Sequence, residues 1–443
     1  MRTHSCTRLL RWLVLFILVA AVTPLALQAD HWGSWRGPTE NGMAETDAPT
    51  HFSDTENIKW KTPIPGKGHS SPVIWGDRIF LTTAITVGTP PPQAEPKGGA
   101  GGGAGPLVDH HFDILCIDRN SGKILWQKTA AVATPHEGYH RQYGSFASNS
   151  PVTDGEHVFA FFGSRGVYAY DLEGNLKWEK DFGVEMRMHL QFGEGIAVVL
   201  EGDTLLLTYD HTGDSFLAAL NKKTGEELWR AQRDEISNWA APLVVEHGGR
   251  KQVVVAATRK VRGYDFETGK LIWESAGLGM NTIPTPVQHG DMVLVMSGYR
   301  DPNLMAIRLG RTGDLTGTDA ILWSETRGTP YSASPLLHDG KLYVVTDRGF
   351  VSSFNAETGE PYYHQVRLPG GTNTFKASPV GAAGKIYLAT EEGNVIVAKM
   401  GPEFEVIATN TLQDQVFIAS PAIVDGEMFL RGQSMLFCVS EKR

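Results

Sequence analysis

The chain has 443 residues, with 40 Lys and Arg against 49 Asp and Glu and a net charge of −9. That balance argues against nucleic-acid binding, which needs clustered basic side chains to displace phosphate counterions, and against docking on an anionic membrane. Three Cys (Cys6, Cys116 and Cys438) are too few for a disulfide framework.

Residues 1–29 read as a removable signal peptide. Arg2, Arg8 and Arg11 supply the positive region, and Leu13 to Val22 the apolar run, too short to span a bilayer comfortably. Leu27-Gln28-Ala29 is a fitting cleavage site before Asp30. Its removal leaves 37 basic and 49 acidic residues, a net charge of −12. An uncleaved anchor is the alternative. Cys6 precedes the apolar run, so it is not placed as a lipid acceptor. No later apolar run is long enough to cross a bilayer, so the product is expected to be exported, periplasmic or extracellular. Residues 30–56 form an N-terminal arm with Trp32, Trp35, Arg36, Gly37 and Pro38, expected on the outside or base of the body that follows.

That body, residues 57–443, is repetitive. Its clearest unit runs from Ser334 to Tyr363: four short runs rich in Val, Tyr, Phe and Leu, separated by the turns Asp339-Gly340, Asp347-Arg348-Gly349 and Glu357-Thr358-Gly359. Such runs between Gly-containing turns are strands in hairpins. A small residue followed by Pro opens each unit, at Ser71, Ser150, Ala241, Thr285, Ser334, Ser378 and Ser420. A degraded start at Ile196-Ala197 fills the one double gap, making eight starts. From Pro151 onward the spacing is 42 to 49 residues. A turn with Gly leading to an aromatic residue closes the units, at Trp126, Trp178, Trp229, Trp273 and Tyr363, more loosely at Trp323, and weakly at Glu403 to Ile407. The eighth closing strand is absent from the C-terminus and stands at the other end of the chain, as Asn57-Ile58-Lys59-Trp60. The expectation is therefore an all-β, eight-bladed propeller of four-stranded antiparallel blades, with the N- and C-terminal strands sharing one blade. That closure leaves no unpaired sheet edge.

Two interruptions stand out. A Pro-rich, then Gly-rich insertion at about residues 87–111 stretches the first repeat and is expected to be flexible over Pro90 to Pro106. Asp109-His110-His111 follows it, but adjacent histidines on a strand do not readily face one ion, so no metal site is assigned. Cys116 and Cys438 occupy the third-strand position where other repeats carry Ala169, Ala219, Gly263, Ala306 and Ser353, so a small buried residue is wanted there.

The links entering each first strand should gather at one mouth of the central axis. Three residues before each Pro, or before Ala197 at the degraded start, stand His69, Ser148, Glu194, Trp239, Ile283, Ser332, Lys376 and Ile418. One residue earlier come Asn238, Tyr331 and Phe375 among others. His69, Ser148, Glu194, Asn238, Trp239, Tyr331 and Lys376 are the candidate ligand contacts, with Trp239, Tyr331 and Phe375 as aromatic walls. The polar link Ala130 to Asn149, containing His136, Glu137, Tyr139, His140 and Tyr143, is a further candidate. No nucleophile–base order, metal-ligand spacing or phosphate-cradling loop assigns a reaction, so no catalytic residue is named.

Thr268-Gly269-Lys270-Leu271-Ile272-Trp273 and its copies resemble the repeat of the pyrroloquinoline-quinone (PQQ) type, over residues 57–440. The resemblance implies eight blades, with Trp60, Trp126, Trp178, Trp229, Trp273, Trp323 and Tyr363 packed between neighbours. The arm and the split blade are similar to those of the secreted PQQ-like proteins abundant in planctomycetes, which resemble the outer-membrane assembly factor BamB. On that resemblance the leading reading is an exported, non-catalytic binding or scaffold propeller with protein or peptide partners, the outer-membrane assembly machinery among them, and no cofactor. The alternatives are a PQQ- and calcium-dependent alcohol or sugar dehydrogenase and a carbohydrate-binding propeller. The chain lacks the adjacent-cysteine pair with which many quinoproteins cap the quinone, and it lacks a haem-attachment motif.

Overall fold

Residues 31–89, 101–371 and 373–441 are described in the computed structural model; the expected signal peptide, residues 1–29, and most of the Pro-rich stretch lie outside them. Among the described residues, eight antiparallel sheets follow one another in chain order, each built outward from a short inner strand. Inner and middle strands are buried on both faces, as in Leu342 to Val345, whereas outer strands alternate, as in Glu227 to Arg233. That gradient is what a closed ring requires: inner strands face neighbouring blades on both sides, and the outer strand meets water.

Blade 1 spans residues 73–133 and blade 7 spans 380–411. Blade 8 combines Ala422–Val424, Glu427–Arg431 and Met435–Ser440 with Ile58–Pro63 from the other end, Trp60 standing opposite Cys438. The degraded third start is real: Val199–Glu201 is the inner strand of blade 3.

The recurring sequence marks have a physical meaning between blades. The Nε1–H of Trp60, Trp126, Trp178, Trp229 and Trp323 donates to the carbonyl of Arg119, Leu172, Lys222, Phe266 and Ala356 respectively, at 2.8 to 3.1 Å, in the outer turn of the following blade. The glycine of that turn lies under the indole: a Cβ on Gly225 would sit 2.6 Å from Trp178. Within its own blade each aromatic faces the small third-strand residue, Trp178 opposite Ala169 and Trp126 opposite Cys116. Both cysteines are free and buried, and burial pushes the Cys116 thiol up to about 12.

Trp273 departs from this scheme. Its Nε1–H donates to Gln252 Oε1 in its own blade, at 2.9 Å. Blade 5 replaces the outer turn with an excursion whose Gly313–Asp314 pairs in parallel with Trp273 and Glu274 as a fifth strand. Tyr363 packs 5.5 Å from Phe404 and faces Ser353.

The arm closes the base of the ring. Trp32 is fully buried and pairs with Ile74 of blade 1, and Gly33 accepts from Thr153 N–H of blade 2. Arg36, 1% exposed, crosses to the far side and donates to the carbonyls of Pro335 and Pro379. Met43 then pairs with Gly381, and Phe52 N–H donates to Asn410 Oδ1. The glycine stretch 101–105 is laid on the mouth links: Ala104 pairs with Tyr139, and Gly103 N–H donates to the Gln191 carbonyl. Glycine permits this because a Cβ at Gly102 or Gly138 would overlap facing backbone.

Candidate functional site: the axial cavity

The small residue before each Pro does more than start a strand. Ser71 N–H donates to Ser150 Oγ, Thr285 N–H to Ser334 Oγ, Ser334 N–H to Ser378 Oγ, Ser378 N–H to Ser420 Oγ, and Ser420 N–H to Ser71 Oγ, all at 2.8 to 3.0 Å. The inner backbone N–H groups, which no further strand can satisfy, are thus met by the next blade's hydroxyl. The ring is interrupted where Ala197 and Ala241 replace Ser, and there Trp35 of the arm packs against the same cluster.

Above this ring lies a cavity of about 190 Å³. The seven residues three positions before each Pro and Glu194, three before Ala197 of the degraded start, all line it, together with Tyr331. The expected mouth therefore exists, built from every blade. Two of the expected contacts lie elsewhere. Asn238 is fully buried behind the wall, its amide donating to Asp210 Oδ2 at 3.1 Å and its carbonyl oxygen accepting from Ala240 N–H. Phe375 is fully buried in the packing of blades 6 and 7. The offset from Pro alone does not reveal that successive link residues point in opposite directions. Trp35, Tyr143, Ser145, Phe192 and the ring serines also line the cavity. Tyr143 was signalled by its polar, aromatic link. The serines were visible only as a repeat mark.

The charged groups are pinned. Lys376 pairs with Asp347 and lies 4.5 Å over the Tyr143 ring. Asp347 also accepts from the Ser332 N–H and hydroxyl, at 3.0 and 2.9 Å. Glu194 accepts from Ser164 N–H and Oγ–H, both at 2.6 Å, and burial raises its pKa. The site depends on Gly163, φ +54°, because any Cβ there would overlap the Glu194 carboxylate. Beside it, His136 Nε2 faces the Met186 carbonyl at 2.8 Å and Nδ1 faces Arg165 at 3.0 Å. The Arg can only donate, so Nδ1 accepts there and Nε2–H donates to the Met186 carbonyl. Burial raises the Glu137 carboxyl to about 7. Trp239 Nε1–H donates to the Gly193 carbonyl at 2.8 Å, and burial raises the Tyr331 phenol to about 12.

His69 differs from these. It is 6% exposed, and its Nε2 has no hydrogen-bond partner among the described residues. Burial, with Lys67 and Arg431 nearby, pushes its pKa down to about 3, so the ring is neutral, while it also bonds the Gly144 backbone.

A family model described as outer membrane protein assembly factor BamB matches residues 110–316 and 310–401, more than half of the sequence. The chain belongs to this family. Tetrathionate hydrolase of Acidithiobacillus ferrooxidans is 22% identical over 403 residues, covering 82% of this propeller and 72% of that protein. BamB from Moraxella catarrhalis has a TM-score of 0.54 at 12% identity, over 86% of this chain and 98% of that one. Quinohemoprotein alcohol dehydrogenase from Comamonas testosteroni reaches 0.60 at 8% identity, over 94% and 82%. The computationally designed protein Ika8 reaches 0.59 at 11%, over 87% and 99%. At these identities the solved structures show a shared fold.

The donor set of this BamB-family propeller does not suit PQQ with calcium. The quinone is a tricarboxylate, whereas the cavity wall carries Glu194, and its Lys376 is already paired with Asp347 and lies 3.9 Å from Glu391. Calcium takes six or more oxygens, whereas both Glu194 oxygens are engaged by Ser164. Elsewhere among the described residues, Asp154, Glu156 and His157 cluster at a turn, where Asp154 caps two backbone N–H groups and pairs with Lys222 at 3.0 Å. His110 and His111 are not brought together: His110 is buried between Thr86 and Val108, and His111 points to the other face of its strand.

Proposed function

We propose that this chain is an exported, non-catalytic binding propeller whose recognition site is the axial cavity, where it takes a polar ligand or the end of a peptide and so acts as a scaffold. The observation that carries the reading is the pinning of the cavity's charges. A caged Lys376 and a Glu194 with both oxygens engaged offer fixed complementarity, not a mobile base beside a nucleophile. Apolar walls with a few fixed polar groups are what a binding site requires. Membership of the BamB family supports a protein-interaction role, with outer-membrane assembly proteins as the first partners to examine.

The test has two arms. Purified protein titrated with PQQ and calcium, and assayed by dye-linked oxidation of alcohols and sugars, should show neither stoichiometric binding nor turnover; both together would overturn the proposal. Gentle extraction and pull-down should recover barrel-assembly proteins from wild type and fewer from Trp239→Ala, while equal recovery would place the partner surface away from the cavity.

A further inference from the structure

The floor of the cavity is rich in unspent donors, with positive charge buried behind it. Ser71, Ser150, Ser378 and Ser420 each accept a backbone N–H, and none of their own hydroxyl protons has an acceptor among the described residues. All four line the cavity. Two buried guanidiniums flank this crown without a carboxylate in hydrogen-bond reach. Arg431, 2% exposed, donates to the Ser70 carbonyl and hydroxyl and to the Thr82 carbonyl, and its Nε has no partner. Arg36 donates to the carbonyls of Pro335 and Pro379, one residue beyond two of the ring serines. Burial lowers them to about 9 and about 10, so both stay cationic at neutral pH. Two residues before Ser71, the buried His69 Nε2 presents an unmet acceptor to the same cavity.

We infer that the crown binds a single carboxylate whose neighbouring N–H or O–H donates to His69 Nε2. Hydroxyl donors lining the cavity, with two buried guanidiniums behind them, favour an oxyanion there. A neutral imidazole acceptor beside it calls for a donor adjacent to the carboxylate. Glu194 in the cavity wall opposes a second negative charge, and Lys376 is already paired with Asp347. Two sources share this chemistry: the C-terminal residue of a peptide, whose own amide N–H adjoins its carboxylate, and a free 2-hydroxy acid. The inference rests on the axial cavity being a binding site and adds the ligand's chemical class.

Calorimetric titration of the whole protein separates these sources. The probes are N-acetyl-L-alanine, L-lactate, N-acetyl-L-alaninamide and propionate. The acid should bind at least tenfold tighter than its amide, and propionate, lacking the donor, should be weaker than both donor-bearing acids. A preference for N-acetyl-L-alanine over lactate identifies the peptide source, and the reverse preference the free acid. His69→Phe should abolish the advantage over propionate yet keep the acid-over-amide preference, and His69→Gln, which retains an acceptor, should restore part of that advantage. Equal binding of acid and amide, both weakened by Trp239→Ala, overturns the carboxylate crown and leaves the binding cavity standing. Absence of acid binding overturns the crown as well, while the pull-down decides the binding role independently.

Discussion

Gly225→Ala probes the contact that joins one blade to the next. Gly225 has φ +73°, and a Cβ there would lie 2.6 Å from Cε3 and 2.9 Å from Cδ2 of Trp178 in the preceding blade. The left-handed conformation costs an alanine roughly 1–2 kcal/mol, and forcing the indole aside adds roughly 1–3 kcal/mol of overpacking. Trp178 cannot move freely, because its Nε1–H is held by the Lys222 carbonyl at 2.8 Å in the same turn. Gly202 is the control. It lies in an inner turn of the same blade with φ +59° and nothing within 4 Å of a new Cβ. Gly202→Ala should therefore cost only the roughly 1–2 kcal/mol of backbone strain. Urea unfolding followed by far-ultraviolet circular dichroism, compared through the midpoints at a common slope, should place Gly225→Ala below Gly202→Ala by roughly 1–3 kcal/mol. Equal midpoints would refute the argument that the turn glycine is there for the neighbouring indole.

Tyr363→Trp should be tolerated, because the residue stands where most blades carry Trp, whereas Tyr363→Ala should lose about 3–5 kcal/mol in the same unfolding assay. Arg233 makes a two-pronged pair with Asp210 at 2.7 and 2.9 Å, both side chains fully buried; Arg233→Met strands that carboxylate and should cost about 3–5 kcal/mol. His69 is depressed to about 3 from its ordinary 6.5. The folded state therefore takes up this proton later than the unfolded one, and the stability His69 contributes is present above pH 6.5 and lost as pH falls toward 3. Thermal unfolding across that window should show a smaller acid loss in His69→Gln than in wild type; superimposable profiles would show that the ring is not held neutral.

The eight blades were legible because each carries local marks with mechanical roles. Ser-Pro supplies the inner ring hydroxyl, the turn Gly makes room for an indole, and the small third-strand residue faces that indole. Trp60 and Met435–Ser440 could be joined across the whole chain because each was the missing part of the other's unit. The mouth was legible in outline, since the offset from each repeat start selects one wall residue per blade. Asn238 and Phe375 were misplaced because burial depends on which way a link side chain turns, which spacing does not report. The crown was hidden for another reason: Ser71, Ser150, Ser378 and Ser420 come from distant repeats, and only closure of the ring sets their hydroxyls around one axis. Arg36 and Arg431 bring charge to that crown from the arm and from blade 8, and no local motif announces either.

The most direct test of the axial site is hydrogen–deuterium exchange of the whole protein with and without saturating N-acetyl-L-alanine. Slowed exchange confined to residues 143–150, 193–197, 331–334, 376–380 and 418–422 is the predicted result. Slowed exchange on outer strands such as 124–133, or no change at all, would contradict the account.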